Sequence, residues 1–354
     1  MRRQSMLGAV RVAATYTGTI IGAGFASGQE MLQFFIAYGS IGLAGILLAG
    51  GLFAWLGSRM LELGYRFKLT GYPEALQHIC GKKTGWILDF LTAGFLFGVM
   101  TVMLAGTGVI VENYFYVSAA AGILTVAAAV AATVWGGIEN IANANMLVTP
   151  LLALSALIIG IHSLLYHGLN FSLLNIPVQE FIHPAPHWLL AALLYVSYNL
   201  VVSSTVLVPL GAQIRSHHIR KAGGILGGLS LGLLAGFIAV IIMLHYPLVL
   251  QYEVPMLYIA SGQATWIHML YAFTLLAAMY TTAVACLFGC SDKLHTATGL
   301  NRLLSILVMT GLALWCSQKG FSHLIALIFP LFGYATLWFT FRLVWLSLPG
   351  RKLH

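Results

Sequence analysis

The sequence predicts an all-α polytopic membrane protein. Its ten transmembrane helices form a 5+5 inverted repeat, with helices 1 and 6 broken. Three observations carry that prediction. Hydrophobic residues make up 60% of the 354 and charged residues only 7%, which excludes an ordinary soluble domain. Sixteen of the seventeen Lys and Arg fall on one side when ten spans are drawn. A polar, glycine-rich stretch interrupts the first span, and a polar stretch with Asn199 near its centre lies in the span five later.

A spanning helix takes roughly 20 apolar residues. The apolar runs place ten such helices, at about 8–37, 41–65, 86–113, 117–135, 144–165, 188–211, 221–245, 266–289, 302–317 and 322–346. With the N-terminus inside, Arg2, Arg3, Arg11, Arg59, Arg66, Lys68, Lys82 and Lys83 are inner. So are Arg215, Arg220, Lys221, Lys293, Arg302, Arg342, Arg351 and Lys352, and Lys319 alone is outer. Such a bias fixes orientation and requires an even number of spans, which puts both termini inside. The net charge of +8 follows from this topology and calls for no nucleic-acid partner. Residues 1–354 read as one transmembrane domain, with repeat one at about 8–165 and repeat two at about 188–346. The Met-Arg-Arg start suggests a signal peptide, but no small-residue cleavage site closes a compact apolar region, so it is kept as the first span. Cys80 lies in an inner loop and Cys286, Cys290 and Cys316 in spans, a distribution that implies no disulfide framework.

The first span, Leu7 to Tyr38, carries Ile21-Gly22-Ala23-Gly24-Phe25-Ala26-Ser27-Gly28-Gln29-Glu30 in its middle. Lipid offers no partner to a free peptide group, so a break at this depth survives only against protein or a water-filled cavity. Packing glycines in an unbroken helix are the alternative, but packing alone does not explain Gln29-Glu30. After the second span, Gly71 to Gly81 reads as a short amphipathic helix on the inner face, with Pro73 in its first turn. Span five contains Thr149-Pro150, a kink and a possible hinge. The outer loop 166–187 is aromatic and Pro-rich.

Span six contains Tyr195-Val196-Ser197-Tyr198-Asn199, followed by Ser203-Ser204-Thr205. It reads either as the second broken helix or as an intact one whose Ser and Asn bond to neighbours. Span seven repeats Gly224, Gly228, Gly232 and Gly236, a small-residue packing face. The long outer connection Pro247 to Gln263 is too apolar for a free loop and is expected to fold down as a short helix or lid. Glu30 is the one acid placed deep in the membrane, where a carboxylate is costly and functional by default. It is suited to hold a cationic solute, carry a proton or form an outer gate with His323; the structural alternative is a carboxylate bonded to backbone N–H groups.

The breaks five spans apart resemble the LeuT-type fold of the amino acid–polyamine–cation superfamily. The run Thr17-Gly18-Thr19-Ile20-Ile21-Gly22-Ala23-Gly24-Phe25-Ala26-Ser27-Gly28-Gln29-Glu30, with Glu253-Val254-Pro255-Met256-Leu257-Tyr258-Ile259, resembles the YkvI family of bacterial membrane proteins. The resemblance implies the ten-helix core of that fold without two further helices. It also implies a multi-pass protein of the bacterial cytoplasmic (inner) membrane. In sodium-coupled members, two carbonyls of helix one and an Ala-x-x-(Ser/Thr)-(Ser/Thr) pattern of helix eight hold the ion. Here Gly18 and Ile21 match the first and Ala278, Thr281 and Thr282 the second. Proton-coupled relatives often place a Lys of helix five there, and span five has no Lys or Arg. The same resemblance implies that Gly22, Ala23 and Gly24 offer N–H groups to an anionic group, with Ser27 as a side-chain contact. Carbonyls freed near Tyr198 and Asn199 then receive an ammonium.

The expectation is therefore a secondary active transporter of a small amino-acid-like or amine solute, with Na+ as coupling ion and the lipid bilayer as its surroundings. A proton-coupled carrier using Glu30 and a passive channel are the alternatives. No HExxH, Walker or paired-Asp motif lies within the spans, so no enzyme is expected. No ATP-binding segment is expected either.

Overall fold

The structure is a computed structural model and describes residues 2–69, 71–136, 141–168 and 183–348. The described chain is helical nearly throughout. Its opening span is in three pieces: α1 (Arg2–Ile20), α2 (Ala23–Ser27) and α3 (Gln29–Phe34). There follow α4 (Ile41–Phe67), the short α5 (Tyr72–Cys80), α6 (Lys82–Phe115), α7 (Ala119–Gly136) and α8 (Ile141–His167). The second half holds α9 (Trp188–Gln213), α10 (His217–Leu244), the short α11 (Pro255–Ser261), α12 (Thr265–Thr298), α13 (Arg302–Ser317) and α14 (Phe321–Ser347). Among the described residues, eight helices are long and apolar enough to cross a membrane: α4, α6, α7, α8, α9, α10, α12 and α14. α13 is apolar but shorter. Most of the outer loop 166–187 lies outside the described residues.

The glycines decide which helices come closest. Helix α10 lies against α4 along Gly224, Gly228 and Gly232, which face Ser58, Ala54 and Gly50. A Cβ on Gly228 would sit 2.1 Å from the Ala54 nitrogen, so the two backbones touch with nothing between them. Tyr16 of α1 fills the adjoining cleft, with Gly57 and Gly227 on either side of its ring. Its hydroxyl donates to the Phe53 carbonyl at 3.0 Å. Helix α9 closes on α4 in the same way, Gly64 against Val208 and Gly211 against Leu61.

The sixth span corrects the expectation of a second break: α9 runs without interruption from Trp188 to Gln213. The physical reason is that its polar side chains are satisfied without opening the helix. Ser203, Ser204 and Thr205 donate back to carbonyls one turn earlier. Ser197 joins Thr336 and Thr340 of α14 through hydroxyl bonds of 3.0 Å each. Asn199 Nδ2 donates to the Tyr195 carbonyl at 2.9 Å. Asp89, near the start of α6, is buried, paired with Lys293 and bonded by the Tyr72 hydroxyl at 2.8 Å. The Tyr72 phenol, on α5 outside the spans, is held above its ordinary value by burial and then by Asp89.

The connection 247–263 folds down as expected, as a 3-10 turn (Leu248–Gln251) and then α11. Glu253 fastens it to the start of α14, accepting from the N–H of Phe321 at 2.7 Å and of Ser322 at 3.2 Å. A carboxylate on two helix-start donors is a charge-assisted cap. Glu253→Ala is expected to cost about 1–2 kcal/mol and to lower the melting temperature of the purified protein by a few degrees. Glu253→Gln should recover part of that loss. An unchanged melting temperature in both variants would show that the cap contributes nothing.

Candidate functional site

The site begins where α1 stops. Thr17 and Thr19 turn their hydroxyls onto carbonyls of the preceding turn, at Ala13 and Tyr16. Gly22 then adopts an extended conformation, with φ −111° and ψ −174°. Its N–H bonds to the Ile20 carbonyl at 2.9 Å, a tight turn that ends the helix. After five residues of α2, Gly28 takes φ +83°, a left-handed conformation that a side chain would strain. A Cβ there would also lie 2.5 Å from Ile242 Cδ1 and 3.1 Å from Met256 Cγ. Gly28 is therefore seated directly beneath α10 and the folded-down α11. The Ser27 hydroxyl donates to the Gly24 carbonyl at 2.8 Å and accepts from the Gln29 N–H at 3.2 Å, bridging this second turn. Tyr271 of α12 donates to the Ala26 carbonyl at 2.5 Å.

Two helix interruptions, at Gly22 and Gly28, bring Glu30 back against Gly24. Its Oε1 lies 2.3 Å from where a Gly24 Cβ would stand, so a side chain there would displace the carboxylate. Its Oε2 accepts from the Tyr198 hydroxyl at 2.7 Å. Glu30 is 5% exposed, and among the described residues no ion pair reaches it. Around the Tyr198 ring stand aromatic rings of α3, α6, α9 and α14. Tyr198 lies 5.8 Å from Phe34, 5.9 Å from Phe95 and 5.3 Å from Phe329 between ring centres. Tyr195 stands 5.5 Å from both Phe34 and Tyr198. The arrangement is an acid bonded to a tyrosine that aromatic rings surround, where α3 meets α9.

Of the expected residues, the structure brings Gly24, Ser27, Glu30 and Tyr198 together at the break. Gly22 forms the break itself, and Ala23 opens α2. Asn199 is one residue beyond Tyr198 and spends its side chain on its own helix. The expectation that Tyr198 and Asn199 offer freed carbonyls falls with the continuity of α9. Of the ion set, Gly18 faces Thr149 of α8 at 3.9 Å from its built Cβ, and Ile21 lies at the break. Ala278 and Thr281 are buried on α12, and the Thr281 hydroxyl is 3.1 and 3.2 Å from the carbonyls of Ala277 and Ala278. Thr282 is half-buried beside them. The sequence reading missed Phe34, Phe95, Tyr195, Tyr271 and Phe329, because aromatic residues are common throughout the spans. Gln33 carried a signal that went unread, four residues from Gln29 on one helical face.

Eight membrane-length helices after an interrupted first helix, among the described residues, define the class: this is a polytopic membrane protein with the LeuT-type fold. The chain is similar to the inward-facing structure of Mhp1 at a TM-score of 0.61 and 17% identity, over 87% of this chain and 69% of that one. It is similar to a substrate-bound, outward-open Na+-coupled sialic acid symporter at 0.57 and 14%, over 90% and 72%. It is also similar to the Eremococcus coleocola manganese transporter at 0.56 and 13%, over 95% and 76%. By sequence it is 30% identical to the membrane protein YkvI of Bacillus subtilis (strain 168) over 352 residues, 99% of each chain. The chain belongs to the YkvI family. It is 27% identical to YyaD of the same organism over 91% of each chain. No family model matches. YkvI is a membrane protein, and the structural neighbours are transporters.

Proposed function

We propose that the chain is a secondary active transporter moving a small amino-acid-like or amine solute by alternating access, coupled to sodium. The observation that carries this reading is the broken first span with Glu30 locked to Tyr198 of α9. One buried group thereby links the two halves at the helix break, where carriers of this architecture bind their solutes. In this reading the interrupted opening span and α13 complete ten crossings. α1 to α8 form one half and α9 to α14 its inverted counterpart, with both termini cytoplasmic in the bacterial inner membrane. Gly22, Ala23, Gly24, Ser27, Glu30 and Tyr198 line the solute site, with Asn199 behind it. Pro150, inside α8, is the hinge candidate.

Sodium is supported by oxygen chemistry. Gly18 and Ile21 on one side and Ala278, Thr281 and Thr282 on the other offer carbonyls and hydroxyls without a full charge, which suits a hard cation. A threonine hydroxyl that donates to its own helix keeps lone pairs for an ion. A sodium gradient across proteoliposomes should drive uptake, and uptake indifferent to sodium would remove the ion while leaving the carrier. Thr281→Ala combined with Thr282→Ala is expected to raise the sodium concentration for half-maximal uptake about tenfold, or about 1.4 kcal/mol. Unchanged sodium dependence would exclude these ligands.

A second reading, proton coupling through Glu30, is favoured by one observation: the carboxylate is buried with no ion-pair partner among the described residues. It requires that Glu30→Gln transport lose its dependence on pH.

A further inference from the structure

We propose that the Glu30 site selects a protonated primary amine that carries no carboxylate of its own. The inference rests on the carrier reading above and narrows it to one substrate class.

Three polar side chains of α3 share one side of the helix. At about 100° per residue, Gln33 falls between Gln29 and Glu30 on the helical wheel. All three are buried, at 7%, 5% and 9% exposure for Gln29, Glu30 and Gln33. Such burial is costly unless each polar atom finds a partner. The Glu30 carboxylate has the Tyr198 hydroxyl. The Gln29 Oε1, the Gln33 Oε1 and the Tyr195 hydroxyl have no partner among the described residues, although all three atoms are buried. Tyr195 is packed ring to ring against both Phe34, the next residue of α3, and Tyr198. One side of α3 thus carries a carboxylate and two unpartnered amide oxygens, and α9, which packs against α3, carries an unpartnered tyrosine hydroxyl. The carboxylate and the amide oxygens accept, and the tyrosine oxygen accepts as readily as it donates.

A ligand that satisfies this set must bring donors and positive charge. A primary ammonium brings three N–H donors and no acceptor. The faces of Tyr195, Tyr198, Phe34 and Phe95 add attraction for a cation. A zwitterion fits less well. Its carboxylate would seek the helix break, but Glu30 already lies against Gly24 there. A second carboxylate would meet the first in a medium that screens poorly. A quaternary ammonium meets the charge and the rings but leaves the three oxygens unpartnered.

The test uses the full-length protein in detergent for binding and in proteoliposomes for exchange. Three amines are paired with the amino acids that differ from them by one carboxylate: ethylamine with alanine, isopentylamine with leucine, cadaverine with lysine. At least one amine is expected to bind ten times more tightly than its partner. Glu30→Gln is expected to weaken that amine at least tenfold. Tyr195→Phe is expected to weaken it threefold or more while leaving its N-trimethyl form unaffected. If Glu30→Gln does not fold, Tyr195→Phe decides alone, because it removes only the unpartnered hydroxyl. Amino acids binding as tightly as their amines would overturn the inference, and so would binding by none of the six. Uptake of alanine or leucine without amine binding sinks the inference and keeps the carrier. Amine binding with no exchange across the membrane keeps the inference and sinks the carrier.

Discussion

Glu30→Gln is expected to lower solute uptake at least a hundredfold while leaving the melting temperature unchanged or raised. The two readouts separate function from structure. Glutamine has nearly the same shape, so the Tyr198 hydroxyl keeps an oxygen to donate to, and Gly24 keeps its close neighbour. What disappears is the charge. A cation about 4 Å from a carboxylate gains about 4 kcal/mol at an effective dielectric constant of 20, and a hundredfold loss corresponds to about 2.7 kcal/mol. The folded protein alone gains from the change, since a buried carboxylate without a counter-ion is costly. A structural carboxylate would give the reverse result, a lower melting temperature with transport intact.

Gly228→Ala is expected to be a strongly destabilising addition of a single methyl group. Its Cβ would lie 2.1 Å from the Ala54 nitrogen, 2.4 Å from the Ala54 Cα and 2.4 Å from the Phe53 carbonyl carbon. All three are backbone atoms of α4, so no side chain can swing aside. Helix α10 would have to retreat by about an ångström from a close-packed neighbour, and overpacking of this kind costs about 3 kcal/mol. Ile242 of the same helix lies against Gly28, so a shift of α10 is felt at the helix break. The control lies on the same face: a Cβ on Gly236 meets only Ile46 Cγ2, at 3.8 Å. Gly236→Ala should therefore be neutral or stabilising by up to about 1 kcal/mol, the usual helix preference for alanine over glycine. Melting curves of the two variants check the pair, and equal effects would show that α4 and α10 do not touch as described.

The two interrupted stretches looked alike in sequence and turned out different. In the first, Gly22 and Gly28 have no side chain to fill the helix, and their torsions leave it. In the second, Ser197, Asn199, Ser203 and Ser204 are polar but helix-compatible, and each finds a partner along α9 or on α14. Composition does not separate these cases, because the partner of Ser197 lies 139 residues away. The glycine face of α10 was legible, since a period of four is local. Its docking onto Gly50, Ala54 and Ser58 was not.

By itself the sequence determined the helical class, the interruption of the opening helix and the short helix in the connection 247–263. Each is a property of neighbours in the chain: hydropathy, helix-breaking residues and charge. Tertiary structure alone decided that Glu30 faces Gly24 and Tyr198, and that the Gln29, Gln33 and Tyr195 oxygens are buried without partners among the described residues. Hydrogen bonding and burial depend on which helices come together, and that depends on the shapes of surfaces far apart in the chain.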